Sequence, residues 1–312
     1  MIEHRIILLR SILGLIILSI IRRNEHDIVN VYDTFSNLMR ITTGGRLLNF
    51  GYWTKDITTP LQAQIQLTKL FGIYGSFDTA KTILDVGSGF SIPALYWIHS
   101  YPDVKIYCLN ISLKQLKSAN SEIAKYQSHK DVTGNPYLAA DLGNKIFHIN
   151  STSTSMPFRN ESVDRIAAFE SAQHFKPITQ FIHESKRILK DSGQLILAMP
   201  VITHKSDLLP FSKTYNLGIL AVTWASEHYS VAMLESLLLK DDFELSNIEY
   251  IGGNIYGPLA EFYIQNRDKL RYEIIKEYPK FLEMILYKSM VKMKIESDKN
   301  FIEYVLIKAT KR

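Results

Sequence analysis

The stretch Ile83-Leu-Asp-Val-Gly-Ser-Gly-Phe90 decides the fold. Its apolar half is typical of a buried β-strand, and Gly87 and Gly89 then mark a tight turn before a helical pattern begins. Glycine adopts positive φ without steric cost and lets the backbone approach a ligand, while the amino terminus of the following helix favours an anionic group. The segment therefore predicts a strand, a turn and a helix that bind a small molecule at the turn.

From Thr82 onward, short apolar runs alternate with helical patterns, which indicates a parallel sheet covered by helices. Helices are predicted around 92–100, 113–126 and 177–190. Together these elements predict an α/β fold with seven strands. The predicted strands are Thr82–Val86, Val104–Leu109, Lys145–Asn150, Val163–Phe169, Gln194–Met199, Phe243–Ile251 and Phe301–Lys308.

The last two predicted strands are separated by a long helical and Lys-rich segment, too long for a plain connection. We interpret residues 252–299 as a helical cap inserted before the last strand. One α/β domain then spans residues 25–312, with its core formed by 78–251 and 300–312.

Residues 1–24 form a separate hydrophobic segment. Its uncharged run, Ser11–Ile21, is shorter than the roughly 20 apolar residues of a spanning helix. A helix lying in the membrane interface is favoured, because flanking arginines can reach anionic head groups. A helix packed on the protein's own core and a cleaved signal are the alternatives. We therefore predict contact with a membrane surface through residues 1–23, at the cytoplasmic face.

The net charge of +5 lies at the two ends of the chain. Residues 1–23 carry four Arg against one Glu, and residues 267–312 carry twelve Lys or Arg against seven Asp or Glu. The middle is slightly acidic, which argues against a nucleic-acid partner. The single Cys108 excludes a disulfide framework and indicates a reducing compartment. The histidines show no metal-ligand spacing, so no metal site is predicted.

A dinucleotide fingerprint would place a third glycine at Ile92 and an acid at Asn110. Hydride transfer is therefore disfavoured. The motifs instead resemble those of class I S-adenosylmethionine-dependent methyltransferases over about residues 30–200. Within that family they are similar to the small-molecule and lipid branch of macrolide sugar O-methyltransferases, tocopherol and sterol methyltransferases, and cyclopropane fatty acid synthases. The resemblance implies a Rossmann-like seven-stranded sheet with helices on both faces, an amino-terminal helical extension and S-adenosyl-L-methionine as cofactor.

The resemblance also implies the cofactor contacts. The turn after the first strand would hold the methionine half of the cofactor, and amides in Leu109-Asn-Ile-Ser-Leu-Lys-Gln115 would meet the ribose in place of the usual acid. In Asn150-Ser-Thr-Ser-Thr-Ser-Met-Pro-Phe158, a hydroxyl or a neighbouring backbone group stands where the family places an acid for adenine. The residues predicted to bind the cofactor are Tyr52, Asp85, Gly87, Gly89, Asn110, Ile111, Gln115, Thr152 and Ser153.

Tyr52 belongs to Leu48-Asn-Phe-Gly-Tyr-Trp53, which resembles a segment that folds over the cofactor in this branch. Aromatic faces in this segment can contact the cationic sulfonium. Packing of Tyr52 and Trp53 in the protein's own core is the alternative.

The sequence Phe169-Glu-Ser-Ala-Gln-His-Phe175 follows the fourth strand, at the edge where open α/β sheets bind ligands. His174 is the predicted general base, because imidazole titrates near neutral pH and the resemblance places a histidine here in hydroxyl methyltransferases. If the segment is helical, Glu170 lies on the same face and orients the imidazole. Gln173 stands where cyclopropane synthases have a glutamate, which weakens a cyclopropanation hypothesis.

We therefore predict O-methylation of a small, lipophilic acceptor. The pocket walls would come from residues 28–60, 201–229 and the cap, with Met284, Met290 and Met293 adapting to an apolar ligand. C-methylation, N-methylation, cyclopropane-type lipid modification and a non-catalytic cofactor-binding module remain alternatives. The acceptor and the oligomeric state are left open.

Overall fold

The computed structural model describes Val29 and residues 36–43, 47–128, 145–203 and 229–312. The predicted membrane-binding segment, residues 1–24, lies outside these ranges, as does most of the 201–229 loop. Over the described ranges, no helix combines the length and apolar character that crossing a membrane requires.

Seven strands form one sheet in the order β3-β2-β1-β4-β5-β7-β6. The first five are parallel, because β1 pairs in parallel with β2 and β4, β2 with β3, and β4 with β5. β6 and β7 are antiparallel. The predicted seven-stranded α/β fold is confirmed. The strands are β1 (Thr82–Val86), β2 (Lys105–Asn110), β3 (Ile146–Asn150), β4 (Val163–Phe169), β5 (Leu189–Ile202), β6 (Phe243–Tyr250) and β7 (Ile302–Lys311).

Helices alternate with the parallel strands and then fill the segment before the last strand. Residues 36–43 are also helical. Single 3₁₀ turns occur at Phe77–Thr79, Ala172–His174 and Gly252–Asn254. The longer helices are α1 (Pro60–Tyr74), α2 (Ile92–Ser100), α3 (Leu113–Ser128), α4 (Ile178–Ile188), α5 (Val231–Lys240), α6 (Tyr256–Gln265), α7 (Arg267–Glu277) and α8 (Lys280–Asp298).

The chain divides into two compact units, and each is made of three segments. The first unit comprises Met1–Gln64, Pro200–Val231 and Ile251–Tyr304. The sheet unit comprises Ile65–Met199, Ala232–Tyr250 and Val305–Arg312. The domain boundaries predicted from the sequence stay a prediction.

The sheet unit is held together by a cluster of buried aromatic rings. The Phe71 ring centroid lies 4.8 Å from that of Phe169 and 5.8 Å from that of Trp97, and Phe77 meets Trp97 edge-on at 5.2 Å. The buried Trp97 satisfies its polar atom, because Nε1 donates to the Thr68 carbonyl at 2.9 Å. Such pairs each add about 0.5–1.5 kcal/mol beyond area burial. They fix α1 and α2 against the strands that carry the candidate site.

In the first unit, the helices α7 and α8 share a buried ion pair. Glu283 is 1% exposed and accepts hydrogen bonds from Arg267 Nε at 2.9 Å and Nη2 at 3.3 Å. The guanidinium carbon of Arg267 also lies 3.6 Å from the centroid of the Tyr287 ring. Because a lone buried carboxylate is costly, this two-bond contact is what makes Glu283 tolerable inside the helical segment.

Candidate active site

The site lies where the strand order reverses, between the carboxyl ends of β1 and β4. The glycine turn follows β1, and the segment with the predicted base follows β4. Ser171 links them, because its Oγ donates to the Val86 carbonyl at 2.6 Å. A Cβ added to Gly87 would lie 2.5 Å from Ser171 Cβ. The predicted cofactor turn and the predicted catalytic segment are therefore neighbours.

The glycine turn presents an open, hydrogen-bond-donating surface. Gly87 and Gly89 have φ of +78° and +54°, and the N–H groups of Gly87 and Ser88 donate to the Leu109 carbonyl at 2.8 and 3.1 Å. A Cβ added to Gly89 would meet nothing within 4 Å. Within the described part of the chain, the N–H groups of Gly89 and Phe90 have no acceptor. Such a turn favours an anionic ligand group.

Asp85 lies in the same region, one residue before the end of β1, and is buried at 2% exposure. Burial raises its pKa from the ordinary value of 3.8 to about 7. Over the described ranges, no residue donates a hydrogen bond to this carboxylate. Because an unpaired buried charge is unfavourable, the carboxyl group itself is suited to a cationic ligand, beyond the backbone contact predicted from the sequence.

The amide of Asn110 is used largely by the protein. Its Nδ2 donates to the Gly89 carbonyl at 3.1 Å and to Gln115 Oε1 at 2.8 Å, while Oδ1 accepts from the Ser112 N–H at 3.3 Å. These bonds tie the end of β2 to the glycine turn and to the start of α3. The predicted ribose contact narrows to Asn110 Oδ1 and Gln115 Nε2, and it remains a prediction.

Asn150 joins the ends of β2 and β3. Its Nδ2 donates to the carbonyls of Asn110 and Ile111, both at 2.9 Å. This contact brings the predicted adenine-binding segment to the edge that carries the ribose candidates. Thr152 and Ser153 lie in the tight turn that follows β3, and Ser153 is 5% exposed. Their contact with adenine remains a prediction.

An ion pair anchors the segment after that turn. Glu184 accepts from the Met156 N–H at 3.0 Å, and Arg187 donates to both carboxylate oxygens at 2.8 Å. The Arg187 guanidinium lowers the pKa of Glu184 and also donates to the Phe158 carbonyl at 2.7 Å. Helix α4 thus fixes the carboxyl end of the predicted adenine-binding segment.

His174 is buried at 6% exposure and closes the 3₁₀ turn, with its N–H donating to the Ser171 carbonyl at 2.9 Å. The α-helical arrangement in which Glu170 would orient the imidazole is not formed, because Glu170 has a φ of +54°. No hydrogen bond joins the Glu170 and His174 side chains in the part of the chain that the structure describes. The catalytic roles of both residues remain predictions.

With this geometry in view, the sequence was compared with known proteins. Residues 84–197, from β1 to β5, match the family model described as a methyltransferase domain. This range forms a class I S-adenosylmethionine-dependent methyltransferase domain. The matched range contains both the glycine turn and His174. S-adenosylmethionine is the cofactor.

The chain is similar to methyltransferases of the small-molecule and lipid branch. Erythromycin 3''-O-methyltransferase of Saccharopolyspora erythraea is 24% identical, covering 86% of this chain and 82% of its own length. The 27-O-demethylrifamycin SV methyltransferase of Amycolatopsis mediterranei is 26% identical, covering 55% of this chain and 57% of its own length. A mycolic acid cyclopropane synthase solved with S-adenosylhomocysteine is 16% identical, with a TM-score of 0.73 over 90% of this chain and 95% of that one.

Gln173 lies immediately before the predicted base, and its side-chain position could not be predicted from the sequence. It is 4% exposed, and its Nε2 donates to the Glu170 carbonyl at 2.8 Å. Because that carbonyl can only accept, the amide is oriented with Oε1 on its other side. Gln173 Oε1 is buried without a hydrogen-bond partner among the described residues. The sequence signals for this residue are its position immediately before the predicted base and the glutamate that the resemblance assigns to cyclopropane synthases at the same place.

Tyr52 belongs to the first unit of the methyltransferase, where its N–H donates to the Ala63 carbonyl at 2.9 Å. Gly51, at a φ of +82°, is packed so closely that an added Cβ would lie 2.6 Å from Ala63 Cβ. Trp53 is 6% exposed, with its ring centroid 5.8 Å from that of Phe262. Trp53 is therefore a core residue, while the cofactor contact of Tyr52 remains a prediction.

No group of three or more His, Cys, Asp or Glu side chains in the described ranges is arranged to hold a metal ion.

Proposed function

We propose that this methyltransferase methylates a hydroxyl group of a lipophilic small molecule, with His174 as the general base. The observation that carries the proposal is the turn Ala172–His174, which packs behind the glycine turn and presents the buried acceptor atom Gln173 Oε1 next to a buried histidine. A substrate that carries a second hydroxyl group beside the methylated one would supply the hydrogen-bond donor that Oε1 lacks among the described residues.

The groups around the glycine turn fit the cofactor. The free N–H groups of Gly89 and Phe90 suit its carboxylate, and the buried Asp85 carboxyl suits its ammonium group. Gln115 Nε2 and Asn110 Oδ1 can bond to ribose hydroxyls. When bound, the cofactor supplies an electrophilic methyl group, and the protein contributes alignment.

The residues after β4 then handle the acceptor. Gln173 Oε1 would accept a hydrogen bond from a second hydroxyl group of the substrate and orient it, and His174 would take the proton that the methylated hydroxyl loses as the new ether bond forms. Gln173 is neutral, whereas the resemblance assigns cyclopropane synthases a glutamate at this position that helps hold a bicarbonate base. This difference favours a hydroxyl acceptor over an alkene.

A lipophilic acceptor is supported by the names of the relatives and in part by the cap. One relative is an O-methyltransferase of erythromycin, and another acts on 27-O-demethylrifamycin SV. On α8, Met284 is exposed, whereas Met290 and Met293 are buried and contribute to the core of the first unit. Of the three methionines predicted to line the acceptor pocket, Met284 alone is therefore exposed.

An acceptor panel tests the proposed function. We would incubate the full chain with methyl-labelled S-adenosylmethionine and with erythromycin lacking its 3''-methyl group, 27-O-demethylrifamycin SV, a secondary amine or an unsaturated phospholipid. Label is expected in an O-methyl group of an apolar hydroxyl compound, identified by mass spectrometry and NMR. Label found only on nitrogen or carbon would contradict O-methylation, and label confined to water-soluble products of a cell extract would contradict a lipophilic acceptor.

We also propose that residues 1–23 bind the enzyme to the cytoplasmic membrane face, because an apolar run flanked by arginines suits an anionic interface. The full chain is expected in the membrane fraction of a lysate, and the chain without residues 1–24 in the supernatant. Replacing the four arginines by glutamine is the matched control, and it should weaken binding to anionic vesicles more than to neutral ones. Equal distribution of both chains would contradict the proposal. The arginines are Arg5, Arg10, Arg22 and Arg23.

A further inference from the structure

His148 lies in the middle of β3 and connects the protein surface to the glycine turn. Its Nδ1 lies 2.7 Å from Oδ1 of Asn120 on α3, and its Nε2 lies 3.1 Å from Ser91 Oγ. Ser91 Oγ lies 3.3 Å from Ser88 Oγ, inside the turn itself. Four polar side chains thus form one chain of hydrogen bonds between α3 and the cofactor-binding turn.

The direction of these bonds follows from the chemistry of the partners. An amide oxygen can only accept, so Nδ1 of His148 carries the proton that is donated to Asn120 Oδ1. The bare Nε2 then accepts the hydroxyl proton of Ser91, for which Ser88 Oγ, at 3.3 Å, is the second acceptor. Burial lowers the pKa of His148, which favours this neutral form.

The backbone of Ser91 has an unfavourable conformation that the hydrogen bond between its hydroxyl and His148 can stabilise. It has a φ of +56°, in the left-handed region that non-glycine residues rarely adopt, and it is fully buried at 0% exposure. Its N–H donates to the Ser88 carbonyl at 2.8 Å, which closes the turn immediately before α2. The conformation of Ser91 therefore sets the curvature of the segment that leaves the N–H groups of Gly89 and Phe90 open.

We propose that His148 is a positioning residue for the cofactor. By accepting the Ser91 hydroxyl proton, it holds Ser91 in the left-handed conformation and keeps the turn in its binding shape. His148 thus acts through Ser91. This inference rests on the proposed role of residues 87–91 as the cradle of the methionine half of the cofactor.

A double-mutant cycle tests the inference, with S-adenosylhomocysteine as the probe and calorimetry as the readout. His148→Leu in the full chain should weaken binding about tenfold, the effect of losing one good hydrogen bond. His148→Gln, which keeps an acceptor for Ser91, should recover most of that affinity. In a Ser91→Gly background, glycine adopts positive φ unaided, so His148→Leu should change the dissociation constant less than about twofold.

Thermal unfolding of each variant accompanies the cycle, and His183→Leu, at an exposed histidine of α4, is the control without an expected effect. An equal loss of affinity from His148→Leu in both backgrounds would overturn the inference, as would unchanged affinity in the single variant. If His148→Leu fails to fold, His148→Ala in the wild-type and Ser91→Gly backgrounds takes its place with the same expected results. A wild-type chain that does not bind the probe would instead contradict the cofactor site itself.

Discussion

Replacing His174 by Ala is expected to lower kcat for a hydroxyl acceptor by about 10²- to 10⁴-fold, the usual contribution of a positioned general base. The affinity for S-adenosylmethionine should stay within about twofold, because the cofactor groups lie on the glycine turn. The acidic limb of the pH profile of kcat/KM should also disappear in the variant. Steady-state kinetics and calorimetry measure these effects separately.

His183→Ala is the matched control, because the His183 side chain is 65% exposed on α4 of the same unit. It should retain full turnover. Near-full turnover in His174→Ala would remove the general-base role. Loss of cofactor binding together with turnover would assign His174 a structural role instead.

Replacing Asp85 by Asn is expected to change stability and cofactor affinity in opposite directions. The native pKa of about 7 lies above the ordinary 3.8, so the folded protein binds this proton more tightly than the unfolded chain. Stability from this group is therefore present below pH 4 and is lost as the pH rises to about 7. At pH 8 the free variant should be more stable, by on the order of 4 kcal/mol at most.

The affinity of the Asp85→Asn variant for the cofactor should fall, whereas its stability at pH 8 rises. Removing the carboxylate proposed to bind the cofactor's ammonium group should weaken binding about 100-fold, as expected for a charged hydrogen bond. Binding to the wild type at pH 6 should also release protons, because the ammonium group lowers the pKa of Asp85. Calorimetry in buffers of different ionisation enthalpy measures that release.

Asp164→Asn is the matched control for stability. Asp164 accepts from Lys190 Nζ at 2.8 Å and from the Thr82 hydroxyl at 2.8 Å, and its net pKa shift is downward, to about 2, despite partial desolvation. The sign of its linkage is opposite, so its replacement should lower stability at pH 8. If both aspartate variants lose stability at pH 8, the interpretation of Asp85 is wrong.

The sheet could be predicted from the sequence because hydrophobic periodicity determines strands directly. The bounds of β1 and β4 agree with the prediction residue for residue. β5 begins at Leu189 rather than Gln194, because the polar residues before Gln194 continue the strand through an irregular register with β4. Ser192, with a φ of +60°, shows that this segment bends without leaving the sheet. A strand can include these polar residues because strand pairing uses backbone groups. Their side chains alone would instead indicate a turn.

The candidate site could be predicted in its location but less well in its side-chain contacts. Strand ends and glycines place Asp85 and Gly89 at the switch point. The partners of Asn110 and the contact between Ser91 and His148, 57 residues apart, depend on which strands become neighbours. The 3₁₀ turn at His174 depends on packing against Gly87. Local propensity carries none of this information.

The interleaving of the two units along the chain limits which chimeras of this protein can fold. Boundaries between them fall inside continuous elements, at Gln64 in α1, at Met199 in β5 and at Tyr304 in β7. Exchange of the first unit between homologues would therefore cut two strands of the sheet that carries the cofactor turn. Chimeras made by whole-domain recombination should misfold, so variants of this fold are reached through point substitutions and loop replacements.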